Sequence, residues 1–361
     1  MTCYLVTGAA GLIGGEIAAA LADQGASVIG FVRRNRKLRR SAGEIVETED
    51  WTGSTPQPGH IALVTGDVSD PGLGLDRAAY RALAGQVDAI IHCAAIVEFD
   101  ARQDVYDAIN IAGTAHMLEF ARFDRGRPIP FVQVSTAYVC GQRGGELAED
   151  NDEAPESFAN PYEASKYAAE QLVRAAMAEG LPAVIARPSI VVGYEDDGAI
   201  AGFDSIYAAF KLLAEGRIGT IPAASDATLN FVPIDHVVKG IVTMAGQVEA
   251  MAGRAFHLVA SEPMPVADFF ELIHGYPQFA DPRLVGPDHY DPESLSPLER
   301  RLHRKVATLY GAYFRNNPLF LQDNTEKLLG LAGPVADLAL MRRQADFAIR
   351  AGFLRAESVA A

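Results

Sequence analysis

The sequence predicts an α/β fold, built on a doubly wound parallel sheet with a smaller, mostly helical C-terminal region. One observation is a series of short apolar runs, each followed by turn residues or a helical pattern, as in strands buried on both faces. The other is that apolar residues between the runs recur at helical spacing, as at Ile13, Ile17 and Leu21. Such alternation predicts parallel strands joined by helices. The predicted strands are Leu5 to Val6, Ser27–Val32, Ile61–Val64, Val87–His92, Pro130–Val134 and Ala183–Ala186.

The alternation of strands and helices changes after about residue 190. Helical stretches separated by short extended pieces follow, near 203–215, 236–246 and 266–274. The segment 275–297 is rich in Pro, Asp and Tyr, which predicts a long connector or a lid. We therefore divide the chain into a sheet domain, residues 1–190, and a mostly helical region, residues 191–361.

The composition excludes several classes of protein. The 361 residues carry 31 Lys and Arg against 46 Asp and Glu, a formal net charge of −15, which argues against a nucleic-acid binder. Hydrophobic residues make up 49% and charged residues 21%, which is typical of a globular protein.

The cysteines and the N-terminal sequence indicate the cellular compartment of the protein. Cys3, Cys93 and Cys140 are too few and too scattered for a disulfide framework, and none has zinc-ligand spacing, so we expect a reducing compartment and no metal. No basic segment precedes the first apolar residues, and no stretch approaches the roughly 18 apolar residues of a membrane span. These features predict a cytoplasmic protein.

A glycine-rich turn ends the first predicted strand and opens the first helix, which is the context of a dinucleotide site. Gly8 permits a tight turn, Gly11 lets the backbone approach a pyrophosphate, and Gly14 allows close packing of helix and strand. Free N–H groups at the helix start attract the anion. A glycine-rich turn without a ligand is the alternative. The expected cofactor contacts here are Thr7, Gly8, Gly11, Leu12, Ile13 and Gly14.

Arginine, not a carboxylate, stands at the end of the second strand. Because a 2′-phosphate needs a cation and a free 2′-hydroxyl favours Asp or Glu, Arg33 predicts NADP(H). Arg33 begins a cluster with six basic residues in the eight positions 33–40. From Arg36 onward the alternatives are a solvated helix face, a site for an acidic partner, or contacts to the phosphates of coenzyme A.

The ends of later strands supply the remaining expected cofactor contacts. Asp67 is placed to accept from an adenine amino group, although an Asp that starts a turn is equally compatible. His92 is expected to pack beneath the cofactor, not to act as a base. The other contacts that we expect are Val68, Ala94, Ala95, Pro188, Ser189 and Ile190.

Tyr162 and Lys166 stand four residues apart at the start of an amphipathic helix, so both lie on one face. An ammonium group near a phenol favours the phenolate, which makes the pair a plausible acid/base device for a carbonyl or an alcohol. A surface Tyr and Lys is the alternative. At the end of the fifth strand, the hydroxyl of Ser135 or Thr136 is placed to hold the substrate oxygen.

Together these residues resemble the extended short-chain dehydrogenase/reductase superfamily, which has a Rossmann fold. The resemblance rests on Thr7-Gly8-x-x-Gly11-x-x-Gly14, His92-x-Ala94-Ala95, Asn110-x-x-Gly113-Thr114, Val134-Ser135-Thr136-x-Tyr138-Val139, Tyr162-x-x-x-Lys166 and Arg187-Pro188. It implies a catalytic triad of Thr136, Tyr162 and Lys166, with Lys166 also bonded to the nicotinamide ribose. It further implies that Asn110 supports the active site. Substrate contacts are expected from Ser135, Tyr138 and Val192.

Three stretches are similar to the thioester reductase and fatty acyl-CoA reductase branch of that superfamily, the male sterility type: residues 162–170, 187–193 and 230–238. Residues 309–314 and 323–329 resemble the C-terminal module of acyl-CoA reductases. Members within large peptide reductases have adenylation and carrier domains upstream, whereas this chain starts at the first strand. We therefore expect an acyl group delivered on coenzyme A or on a separate carrier protein.

The expected function is NADPH-dependent reduction of an acyl thioester to the aldehyde, with further reduction to the alcohol left open. One alternative is a dehydrogenase or epimerase for a secondary alcohol or ketone, such as a sterol, a sugar nucleotide or a flavonoid-like compound. Arg33 argues against the epimerases, which generally hold NAD. Another alternative is a non-catalytic NADP(H)-binding regulator, which usually lacks the Tyr or the Lys.

Three further expectations concern surfaces. Residues 203–213 are expected to line an acyl pocket, or else to be plain core. The aromatic stretch 309–314 is compatible with contact to a membrane surface, with contact to an acyl chain and with internal packing. The relatives imply a homodimer through a four-helix face that includes residues 106–120 and 162–177.

Overall fold

The computed structural model describes residues 2–99, 101–123, 126–203, 206–302 and 311–356. Its strands are β1 (Cys3–Thr7), β2 (Ser27–Val32), β3 (Glu49–Asp50), β4 (Ile61–Thr65), β5 (Ala89–His92), β6 (Phe131–Val134), β7 (Gly145–Leu147), β8 (Ala183–Pro188), β9 (Ile190–Val192), β10 (Thr220–Pro222), β11 (Thr228–Leu229), β12 (Phe231–Pro233), β13 (Ala255–Leu258), β14 (Met264–Pro265), β15 (Arg283–Val285) and β16 (Pro318–Phe320).

The α-helices are α1 (Leu12–Asp23), α2 (Arg77–Gln86), α3 (Gln103–Tyr106), α4 (Gly113–Ala121), α5 (Pro161–Ala178), α6 (Ile206–Ala214), α7 (Ile234–Ala245), α8 (Val248–Met251), α9 (Val266–His274), α10 (Asp323–Leu329) and α11 (Leu338–Arg350). A π-helical turn, Asp107–Ala112, joins α3 to α4. Short 3-10 turns occur at Pro71–Gly74, Ala137–Cys140, Pro287–His289 and Pro292–Ser294, and residues 297–302 are helical.

Eight strands form one sheet in the spatial order β13-β8-β6-β5-β1-β2-β4-β3. Every pairing in it is parallel, so the connections must cross over the sheet, mostly through helices. The direction of winding reverses between β1 and β5, and open α/β sheets bind ligands at such a point. The prediction of a doubly wound parallel sheet is confirmed.

Helices cover both faces of the sheet and bury its apolar side chains. On one face α1 and α7 pack together, with Ile17 and Ile241 fully buried against the strands. On the other face α4 and α5 pack with the π-helical turn, and Phe120 and Val173 are fully buried there. A third apolar cluster lies in the C-terminal region and joins α6, α9 and α11 around residues such as Phe269.

The sheet takes one strand from beyond residue 190, because β13 pairs with β8. The sheet is therefore not confined to residues 1–190. The assignment of the cofactor to residues 1–190 and of the substrate to residues 191–361 stays a prediction. The segment 275–297 carries β15, which pairs with β10, and none of its residues lines the large cleft described below. Of the aromatic stretch 309–314, Leu309 and Tyr310 lie outside the described residues.

Among the described residues, no helix combines the length and the apolar character needed to cross a bilayer.

A buried ionic network ties the middle of the sheet to α5. The Glu170 carboxylate accepts hydrogen bonds from Arg187 Nε at 3.1 Å, Ser135 Oγ at 3.0 Å and Arg174 Nη2 at 3.0 Å. Glu170 and Arg187 have side-chain exposures of 1% and 6%, so both charges depend on each other for solvation. The network fixes the end of β6 and the strand β8 against the helix.

We expect Glu170→Ala to lower the free energy of unfolding by about 3–5 kcal/mol, because Arg187 would stay buried without its carboxylate. Urea denaturation measures this loss. Glu271→Ala, on the exposed side of α9, is the control and should change stability by less than about 0.5 kcal/mol. A loss below about 1 kcal/mol in Glu170→Ala would contradict the role of the network.

Candidate active site

A cleft of about 670 Å³ lies at the carboxyl edge of the sheet, where the loops after β1, β2, β4, β5, β6 and β8 converge. The structure brings most of the predicted site residues together here. Those that line the cleft are Gly8, Gly11, Leu12, Ile13, Gly14, Arg33, Asp67, Val68, Ala94, Ala95, Ser135, Thr136, Tyr138, Tyr162, Lys166, Ser189 and Ile190.

Four predicted residues lie outside this lining. Thr7 is beneath it, where its Oγ1 accepts from the N–H groups of Cys93 and Ala94, both at 3.1 Å. Pro188 contributes its carbonyl oxygen, 3.3 Å from Thr136 Oγ1. Val192 is fully buried in the C-terminal apolar cluster and does not reach the cleft.

Asn110, the fourth of these residues, supports the cleft from behind. It lies in the π-helical turn, a feature frequent at functional sites. Its Oδ1 accepts from the Ile96 N–H at 2.8 Å, and its Nδ2 donates to Ser165 Oγ at 2.8 Å. Asn110 therefore holds the loop after β5 against α5.

The glycine turn forms a cradle that only glycine fits. Gly8 has φ +68°, and a Cβ there would lie 2.8 Å from the Ala94 nitrogen. A Cβ on Gly14 would lie 2.2 Å from the Gly8 carbonyl oxygen. Helix α1 begins after Gly11, and no described side chain caps it. Its first N–H groups are therefore available to an anion, and the cradle fits a dinucleotide pyrophosphate.

Arg33 lies at the rim, half exposed, with its Nη1 3.7 Å from Asp67 Oδ2. Asp67 also starts a turn, because its Oδ1 accepts from the Ser69 N–H at 3.0 Å. Both interpretations of Asp67 are therefore compatible with its position. The interpretation of the basic cluster as a helix face is wrong, since residues 33–46 form a loop in which Arg36 pairs with Asp50 and Arg40 with Asp23.

His92 is packed beneath the cleft, as expected. It is buried between the hydroxyls of Thr7, 2.8 Å from Nδ1, and Thr114, 3.2 Å from Nε2. Burial, together with the nearby Lys166 ammonium, lowers the pKa of His92 to about 3. The imidazole is therefore neutral at physiological pH.

Tyr162 and Lys166 occupy the first two turns of α5 and both line the cleft with Thr136. Asn160 caps this helix, since its side chain accepts from the Glu163 N–H at 3.0 Å, and Pro161 fits the first helical position. Lys166 Nζ donates to the Val134 carbonyl at 2.7 Å. The lysine is thereby fixed at the end of β6, beside the strand-end hydroxyls.

Burial, more than the neighbouring charge, determines the pKa values of Tyr162 and Lys166. Lys166 was expected to lower the pKa of Tyr162, but burial dominates and raises it. Burial also lowers the pKa of Lys166 to about 8. At neutral pH the phenol is protonated and most of the lysine is charged, so the site holds a proton donor beside a cation.

An aromatic wall lies beside Tyr162; Tyr313 belongs to the aromatic stretch 309–314 considered above, whereas Phe99 was missed from the sequence. Phe99 stacks on Tyr162 with ring centroids 5.6 Å apart, and Tyr313 lies nearly parallel to Phe99 at 6.4 Å. Tyr313 also packs edge-on against Tyr138 at 4.8 Å. Its hydroxyl donates to Glu163 Oε1 at 2.5 Å. The C-terminal region thus contacts the residue next to Tyr162.

Comparison with known proteins identifies the family. Residues 6–241 match the family described as male sterility protein, and the chain belongs to that family. This confirms the resemblance to the male sterility branch. The family and the cradle together identify the cleft as a nicotinamide dinucleotide site.

The chain is similar to longer proteins and to solved reductase domains. It is 24% identical to aldehyde reductase lnaA of Aspergillus flavus over 94% of this chain and 35% of that protein. It thus spans about a third of the length of that relative. The terminal R domain from the myxalamid PKS-NRPS biosynthetic pathway is 25% identical, with a TM-score of 0.81 over 99% of this chain and 93% of that one. A thiolation-reductase di-domain from an archaeal non-ribosomal peptide synthetase has a TM-score of 0.71 at 20% identity, over 98% and 76%.

The buried carboxyl group of Glu163 predicts a pH effect on stability. Burial raises its pKa to about 7, against hydrogen bonds from Tyr313, Ala159 and Asn160 that lower it. At a pH between the ordinary pKa of a glutamate and 7, Glu163 keeps its proton in the folded state and loses it in the unfolded state. Glu163 therefore contributes stability at low pH that is lost as the pH rises through 7.

We expect the difference in Tm between Glu163→Gln and the wild type to shift in favour of the variant from pH 5 to pH 8, because glutamine does not titrate. Thermal melts in matched buffers measure it. Glu271→Gln, at an exposed position, should show no such trend. A difference that stays constant with pH would refute the raised pKa.

Proposed function

We propose that this chain is an NADPH-dependent reductase that converts an acyl thioester, carried on coenzyme A or on a carrier protein, to an aldehyde. One observation carries the proposal: Tyr162, Lys166 and Thr136 line a single cleft between the glycine cradle and an apolar recess. The membership in the male sterility family and the similarity to a terminal R domain support the same reaction.

The residues of the cradle would hold the pyrophosphate through the N–H groups at the start of α1, next to Leu12 and Ile13. Arg33 at the rim would pair with a 2′-phosphate, which favours NADP(H) over NAD(H). The neutral His92 and Thr7 fix the floor below. When bound, the nicotinamide supplies a hydride to the carbonyl carbon of the substrate.

Residues of this chain would bind the oxygen of that carbonyl and protonate it. Tyr162 is protonated at neutral pH, so its hydroxyl donates a hydrogen bond to the oxygen and then its proton. Thr136 Oγ offers a second polar contact, and the Lys166 ammonium favours the negative charge that develops on the oxygen and then on the phenol. Breakdown of the resulting hemithioacetal releases the thiol and the aldehyde.

The recess next to Tyr162 would take the acyl group. Its surface is mostly apolar and comes from the C-terminal region. Of residues 203–213, for which the sequence left an acyl pocket and plain core as alternatives, Ile206 lines the recess. An acyl group bound there would displace water, so each donor aimed at the oxygen would act in a medium of low polarity. The apolar residues that line it are Ile200, Ile206, Leu229 and Phe314.

The first test offers the purified chain NADPH with acyl-coenzyme A thioesters, acyl-phosphopantetheine, ketones and sugar nucleotides, and follows NADPH absorbance. We expect turnover of thioesters and formation of aldehyde. Tyr162→Phe should lower kcat by about 10²–10⁴-fold, because the proton donor is lost. Tyr167→Phe, on the same helix but outside the cleft, is the matched control and should keep its activity.

If only a ketone, an alcohol or a sugar nucleotide reacts, the thioester assignment fails and the oxidoreductase assignment stands. Near-normal turnover in Tyr162→Phe would eliminate Tyr162 as the proton donor.

The second test concerns the cofactor. We expect Arg33→Ala to raise the dissociation constant of NADPH by about tenfold to a hundredfold, because one charged hydrogen bond to the phosphate is lost. The dissociation constant of NADH should not change. Calorimetric titration measures both, and Arg217→Ala, an exposed residue that does not line the cleft, is the control. Equal losses for both cofactors would contradict the phosphate contact.

A further inference from the structure

The basic loop, defined as residues 33–46, is packed against the phosphate-binding helix. Leu38 is fully buried among residues of that face of the sheet. The loop backbone approaches α1 so closely that a Cβ on Gly15 would lie 2.9 Å from the Arg39 carbonyl oxygen. The Val46 N–H donates to the Leu38 carbonyl at 3.1 Å, which closes the loop on itself. The arginines therefore stand on an ordered segment.

A buried carboxylate, Glu16, lies at the far end of this loop. It is 3% exposed although it sits on α1, two residues after Gly14. It accepts the backbone N–H of Ser41, which is 1% exposed. Arg40 Nη1 stands 4.0 Å from its Oε2. Removal of a charge from water is costly unless it is paired and hydrogen-bonded, and here the loop supplies both kinds of partner.

Glu16 has a second partner from the other half of the molecule. The hydroxyl of Tyr194, in the turn after β9, donates to Glu16 Oε1 at 2.5 Å. The carbonyl of Tyr194 in turn accepts from Gln344 Nε2 at 3.2 Å, on α11. The Tyr194 hydroxyl also lies against the Ser41 backbone and near Arg40, so Tyr194 belongs to the cluster that holds the end of the basic loop.

We propose that Glu16 is a positioning residue that holds the basic loop for the 2′-phosphate and thereby sets the preference for NADPH over NADH. The inference rests on the proposed NADP(H) function. Arg33 is continuous with β2 at one end of the loop, and Ser41 is bonded to Glu16 at the other. Between them, Arg36 donates to Thr65 Oγ1 at 2.5 Å. With both ends fixed, the loop loses little conformational entropy on binding, which is the advantage of preorganisation.

The decisive measurement is the ratio of the dissociation constants of NADPH and NADH, by calorimetric titration without any thioester. Glu16→Gln keeps the shape of the side chain but removes the charge that pairs with Arg40 and replaces one acceptor by a donor. We expect a rise of about fivefold in the dissociation constant of NADPH, and none in that of NADH. Glu271→Gln, the same change at an exposed position on α9 outside the cleft, is the matched control and should keep the ratio.

Glu16→Asp, which keeps the charge but shortens the side chain, should shift the ratio in the same direction and serves if Glu16→Gln does not fold. Hydrogen exchange of the wild type needs no variant: the Ser41 amide should be protected in the absence of cofactor. An exposed Ser41 amide would overturn the proposal. Equal changes for both cofactors, or no change, would overturn it as well, since a merely structural residue affects the two alike.

The Arg33→Ala titration distinguishes a failure of the positioning role of Glu16 from a failure of the proposed NADP(H) site. If Arg33→Ala weakens NADPH selectively and Glu16→Gln does not, only the positioning role fails. If the wild type shows no preference for NADPH, the cofactor proposal fails and the role of Glu16 fails with it.

Discussion

The buried pair of Glu170 and Arg187 is the interaction on which the site geometry depends. Glu170 lies one helical turn after Lys166, and its carboxylate reaches Ser135, the neighbour of Thr136. The pair therefore fixes the distance between the helix that carries Tyr162 and the strand end that carries the hydroxyls. Arg187 also donates to the Glu149 carbonyl at 2.9 Å. The desolvation of two charges is the cost of this rigidity, and the several hydrogen bonds offset it.

A second buried carboxylate, Glu149, also ties separate elements together, but its partners are neutral hydrogen-bond donors. Glu149 accepts from the His257 N–H at 2.8 Å and from Thr325 Oγ1 at 2.6 Å, at the start of α10. It joins β13 to the C-terminal region, and among the described residues it forms no ion pair. Burial raises the pKa of Glu149, against the hydrogen bonds that lower it. Through these bonds the region that we propose to hold the substrate is attached to the sheet that we propose to hold the cofactor.

The sheet and the cradle were predictable because their signals are local. A strand buried on both faces is apolar over most of its length, as in Ser27–Val32, and the glycines are fixed by sterics within one turn. The contacts of Glu16 with Ser41 and Tyr194, and that of Glu163 with Tyr313, were not predictable, since these partners lie far apart along the chain and no periodicity links them. For Glu163 there was one usable signal. An Asn three residues before a Glu, ahead of an amphipathic helix, is the pattern of a capping box, and it explains why Glu163 turns back toward Asn160.

Tyr313 is synthesised later than most residues of the site. A ribosome delivers residues from the N-terminus onward, and domains fold as they emerge. All eight strands of the sheet have been made once Leu258 is added, with Tyr162 and Lys166 already in place. The ring that completes the aromatic wall comes only later. The nascent chain thus acquires its glycine cradle before the ring that completes the aromatic wall, so the two sides of the cleft form one after the other.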